Sequence, residues 1–78
     1  MTTIEEAFGE VIKVLRKENH FSQEKLAELS SLDRSFISLL EGGKKQPSLI
    51  TIFQLAKALN TSPSKILAAV EENIQFLK

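Results

Sequence analysis

Ser38 stands three residues after Ser35 and four after Arg34, the spacing that gathers side chains on one face of a helix. Leu39 adds an apolar side chain beside them. A guanidinium carries a planar fork of donors that matches a carboxylate, a phosphate or the O6/N7 edge of guanine. Serine hydroxyls donate or accept, and a leucine suits a methyl group. Lys44, Lys45 and Gln46 follow the pair Gly42–Gly43, and Gln23 follows Ser22. These are groups that bind; none is a nucleophile with a base beside it. His20 is the single histidine, in a polar stretch, and there is no cysteine. Disulfides and thiolate metal sites therefore have no residues to build on, and neither a nucleophile–base arrangement nor a glycine-rich phosphate loop is visible. The expectation is a binding protein and not an enzyme, with no cofactor, no metal and no sign of a small-molecule effector.

Five helices are expected to position these groups, with no strand, in one domain spanning residues 1–78. Thr3 and Glu6 have the spacing of a capping box, and Ile4, Phe8, Val11, Ile12 and Leu15 form one apolar stripe after it. Gly9 interrupts the stripe at a cost of about 1 kcal/mol against alanine, which suggests another helix passing close by. Ser22 caps a short second helix with Leu26, Ala27 and Leu29 facing inward. Asp33 caps the third, which runs through Phe36, Ile37 and Leu40 to Glu41 and stops at Gly42–Gly43. Ser48 caps the fourth, whose buried side is read as Leu49, Ile52, Phe53, Leu55, Ala56 and Leu59. Ser62 caps the fifth, with Pro63 at the first helical position and an extent of about 63–77.

The second and third helices are joined by a tight turn. Two such helices cross steeply, and the second can enter the major groove of duplex DNA. The crossing needs a small residue, here Ala27. The turn needs a residue that tolerates positive φ, here Ser31, with Leu32 as an apolar plug. Ile37 and Leu40 anchor the third helix from behind and leave Arg34, Ser35, Ser38 and Leu39 outside. On this reading Arg34 contacts a base; the alternative is a surface arginine paired with Asp33 or Glu41. Ser35 and Ser38 reach base edges or phosphates, or remain solvated. Leu39 meets a thymine methyl or is a solitary surface leucine. Lys44, Lys45 and Gln46 lie over the phosphate backbone, or the two lysines serve solubility alone.

The run Ser22-Gln23-Glu24-Lys25-Leu26-Ala27-Glu28 resembles the second helix of the Xre family, which includes the lambda-type phage repressors and Cro. Phe36-Ile37-Ser38-Leu39-Leu40-Glu41 with Gly43 is similar to that family's recognition helix and its stop. Lys44-Lys45-Gln46-Pro47-Ser48-Leu49 resembles the loop into its fourth helix, and residues 12–18 fit the end of its first. The likeness runs from about Phe8 to Leu67. Leu32 to Ser38 is particularly similar to controller proteins of restriction–modification systems. The resemblance implies an all-α, compact five-helix, lambda-repressor-like domain. It implies a phosphate contact at Gln23 and a partly buried ion pair between Arg16 and Glu41. Two departures stand out: Ser31 occupies a turn position usually held by glycine, and Gly42 stands where many relatives carry a larger, often basic residue.

Ten basic and ten acidic residues cancel. Their placement is uneven: Glu5, Glu6 and Glu10 crowd the start, whereas residues 42–70 hold Lys44, Lys45, Lys57 and Lys65 and no acid. A neutral sum can thus conceal a positive face. No apolar run approaches the ~20 residues of a membrane span, and the acidic start is unlike a signal peptide, so a cytoplasmic protein is expected. The implied function is sequence-specific binding of double-stranded DNA by a transcriptional regulator, as a homodimer on a palindromic operator. Ile66, Val70, Ile74 and Leu77, with Leu67 and Phe76 alongside, are read as the dimer interface; alternatively the stripe only closes the monomer's core. The competing reading is an antitoxin-like module that binds a partner protein through its last helix.

Overall fold

The computed structural model describes residues 2–74, which form five helices. They are α1 (Ile4–Glu18), α2 (Gln23–Ser30), α3 (Arg34–Glu41), α4 (Leu49–Ala58) and α5 (Pro63–Ile74). No strand occurs among the described residues. Local chemistry sets most boundaries. Thr3 and Glu6 close a reciprocal capping box at the start of α1, both bonds being 3.0 Å. Those bonds to Thr3, backbone first and hydroxyl second, hold the Glu6 carboxyl below its ordinary pKa. Ser22 and Ser48 accept from the amides of Lys25 and Thr51, at 3.0 and 3.1 Å. Ser62 accepts from Lys65, with Pro63 opening α5. Asp33 stands at the N-cap of α3, but its side chain makes no capping bond.

α1 packs on α3 and α5, and α2 lies between α3 and α4. Ile12, Leu26, Ile37, Leu40, Leu55 and Ile66 are fully enclosed where these helices converge, with Phe8, Val11 and Val70 around them. Gly9 is the contact point of α1 with the end of α3. A Cβ there would fall onto the Leu40 carbonyl oxygen and stand 2.8 Å from that of Glu41, so only glycine admits the crossing. The turn after α2 runs through Ser31 at φ 61°, ψ 36°. A serine in this left-handed geometry costs about 1–2 kcal/mol. Leu32 offsets it by donating its amide to Ala27 O at 2.9 Å and packing against the core. At the end of α3 the left-handed residue is Gly43 (φ 72°), not Gly42 (φ −84°).

Several side chains lie elsewhere than their sequence pattern suggests. Leu49 and Phe53, expected inside, are 68% and 57% exposed, and Leu29 is 45% exposed. α4 is apolar on nearly every side, and its core-facing side is Thr51, Leu55, Ala56, Ala58 and Leu59. Leu49 and Phe53 sit a turn apart on the opposite side. α2 is only eight residues long, and Leu26, Ala27 and Ser30 take its inward positions. Ser30 satisfies its buried hydroxyl on Leu26 O at 2.6 Å. Ile4 lies at the rim of the α1 stripe, largely exposed.

Candidate nucleic-acid interface

α3 carries Ile37 and Leu40 at zero exposure on one side. Fixing that side turns Arg34, Ser35 and Ser38 outward, all exposed, with Leu39 at 40%. Arg34 belongs to neither ion pair found among the described residues, Arg16–Glu41 and Lys25–Glu28. Its guanidinium is uncommitted to Asp33 or Glu41 and free to meet a ligand. Lys44, Lys45 and Gln46 are exposed on the loop that leaves α3. The loop amide of Lys44 donates to Leu39 O at 2.9 Å, which ties the start of this basic segment to the last turn of α3.

Behind this surface lies a polar network that spans three helices. Arg16 donates from Nε to Glu41 Oε2 at 2.6 Å and from Nη2 to Glu41 Oε1 at 3.1 Å. Its Nη1 donates to Phe21 O at 2.9 Å. The two side chains are only 12% and 4% exposed. Fork-to-carboxylate geometry of this kind fixes angle as well as distance. The ion pair implied by the family resemblance is therefore present.

Gln23 is where sequence reasoning falls short. Its Nε2 donates to Glu41 Oε1 at 3.1 Å. The half-buried Gln23 side chain at the first position of α2 is thus oriented by the carboxylate that Arg16 holds. The residues are 18 apart in sequence, and no local pattern signals the link. One amide hydrogen is committed inward; the other and the side-chain oxygen remain for an outside partner.

The C-terminal stripe is divided. Ile66 and Val70 are 1% and 6% exposed within the monomer, so they are not available to a second chain. Their burial supports the alternative reading, in which this part of the stripe closes the monomer's own core. Ile74 is half-buried against the same core, and Leu67 is 43% exposed. Leu77 and Phe76 lie outside the described residues. Among the described residues no three His, Cys, Asp or Glu side chains cluster as metal ligands, and no helix is long and apolar enough to cross a membrane.

Comparison with known proteins agrees with this geometry. The helix-turn-helix family pattern matches residues 12–66. Control protein C.SmaI of Serratia marcescens is 44% identical over 64 residues, covering 82% of this chain and 76% of that protein. The restriction–modification controller protein C.AhdI of Aeromonas hydrophila superposes with a TM-score of 0.78 at 40% identity, over 80% of this chain and 94% of that one. The controller protein C.Esp1396I, solved as a tetramer on its natural 35 base-pair operator, gives a TM-score of 0.85 at 27% identity over 96% of this chain and 99% of that one. Helix order, the α2–turn–α3 unit and these likenesses agree: the chain belongs to the Xre-like helix-turn-helix family, and its relatives include controller proteins of restriction–modification systems.

Proposed function

We propose that this protein binds double-stranded DNA sequence-specifically and regulates transcription as a cytoplasmic homodimer on a palindromic operator, without catalysing a reaction. The observation that carries this reading is the uncommitted outer face of α3, rigidly backed by Ile37 and Leu40 and flanked by exposed Lys44 and Lys45. Arg34, Ser35, Ser38 and Leu39 supply the base contacts. Gln23, Lys44, Lys45 and Gln46 supply the phosphate contacts, which set position without carrying sequence. C.Esp1396I, of the same fold, is bound to its operator. Burial of Ile66 and Val70 within the monomer leaves less of the last helix to a partner protein, which favours the DNA-binding reading over that alternative.

Phosphate contact displaces condensed counterions, so affinity must fall with salt. Lys44 and Lys45 from two protomers neutralise four phosphates, which gives a log–log slope of about −3.6 from these residues. Titration of a labelled duplex across increasing salt measures it. A slope near zero, or no binding to any duplex at low salt, contradicts the reading.

A further inference from the structure

We propose that the groove between α1 and α5 docks a basic amphipathic helix of a partner protein while α3 stays free to meet DNA. The groove lies apart from the reading face, and its occupancy does not depend on the DNA-binding reading.

Val14 is 45% exposed in the last half of α1. With half-buried Leu15 and Ala69 and the edge of Val11, it floors a hollow of about 610 Å³ between the two helices. An isolated surface valine is ordinary, whereas apolar side chains lining a trough offer area that water solvates poorly. The rim is acidic. Glu10, Glu18 and Glu72 stand around it against one base, Lys65. None of these three carboxylates belongs to an ion pair among the described residues. Asn73 and Glu10 share a neighbouring hollow with Thr2 and Glu6, so the end of α5 lies beside the start of α1. Glu6, Glu10 and Glu72 therefore gather at one end of the trough, and Glu18 marks the other.

Shape and charge name the occupant. Glu10 and Glu18 are eight residues apart, about 12 Å along the helix axis. That length receives two apolar anchors spaced a turn or two apart on a partner helix, the pattern of helix-in-groove recognition. Carboxylates on both walls of an apolar floor match a helix with lysine or arginine beside its apolar stripe. They repel phosphate, so the trough is not a second nucleic-acid surface. Its place leaves DNA room. α1 meets α3 through Gly9 and Arg16, whereas Glu10, Val14 and Glu18 turn toward α5, which packs on α1 and α4. A protein held here rides on the regulator without covering Arg34, Ser35 or Ser38.

Binding of labelled synthetic helical peptides to the full chain, without DNA, tests the proposal. One peptide carries leucines at helical spacing flanked by lysines and arginines; its control has the same leucines flanked by glutamates. The basic peptide should bind in the micromolar range and shift the amide resonances of Val14, Leu15 and Ala69. Val14→Lys, at an exposed position, should abolish that binding with an unchanged helical spectrum. Glu10→Lys combined with Glu72→Lys should weaken the basic peptide by about tenfold or more and admit the acidic one. Failure of the basic peptide to bind, equal binding of both peptides, or binding that neither variant alters overturns the proposal. A fall in sedimentation mass on Val14→Lys gives the groove to a second copy and also overturns it. So do contacts from Val14 to the chain's own last residues in the free protein. No DNA is present, so a failure of peptide binding and a failure of operator binding are separate results.

Discussion

Arg16→Ala or Glu41→Ala is expected to lower stability by about 3–5 kcal/mol, because each removes one partner and strands the other charge in a nearly closed site. Arg16 makes three hydrogen bonds there, and Glu41 receives from both Arg16 and Gln23. At roughly 0.05–0.15 kcal/mol per residue, a chain of this length has only about 4–12 kcal/mol in total. Each single replacement should therefore bring the domain close to unfolding. The loss appears as a lower midpoint in chemical denaturation, or a fall in Tm of about 4–8 °C per kcal/mol. Replacing both residues should cost much less than the sum, since no unpaired charge remains, and a double-mutant cycle reads that coupling. Strictly additive losses would show that the pair contributes nothing as a pair. Glu41→Gln provides a second readout. It weakens the acceptor that orients Gln23, so the conservative variant should lose DNA affinity even at temperatures where it remains folded.

Arg34→Ala should lose about 1–3 kcal/mol of binding on the preferred site and relax preference at one position in each half-site. The helix period is the reason. Ile37 and Leu40 point into the core, which aims Arg34, Ser35 and Ser38 away from it, and only Arg34 has a donor fork suited to guanine. Lys44→Ala should weaken preferred and altered sites alike and make the salt slope shallower by about 1 for each phosphate no longer neutralised. The two variants are compared on a panel of single-base changes. If Arg34→Ala lowers every affinity by one factor and keeps every preference, Arg34 belongs with the backbone contacts. Specificity would then come from Ser35, Ser38, Leu39 or DNA shape.

Features governed by near neighbours were legible in the sequence. Thr3 with Glu6, Ser22, Ser48, and Ser62 with Pro63 mark helix starts because a cap is satisfied within three residues. Gly9 announces a close crossing because glycine inside an apolar stripe has no local advantage, and the crossing partner proves to be the end of α3. The outer face of α3 follows from the period of its buried residues. α4 resisted the same logic. Leu49, Ile50, Ile52, Phe53 and Leu55 are apolar on both sides of the helix, so hydrophobicity alone cannot say which side is inside. The α5 stripe was visible at its true spacing, but periodicity does not reveal whether an apolar face meets its own chain or another. The Gln23–Glu41 bond joins the start of α2 to the end of α3, and only the packed fold brings them together.

The most direct test of the central claim is selection of bound sequences from a random duplex library by the wild-type chain. An inverted repeat is expected, with its two arms centred about one helical turn, ~34 Å, apart, since each α3 reads one arm across the twofold axis. Selection that enriches no sequence, from a folded protein at low salt, would contradict the account: the outer face of α3 would then not read DNA.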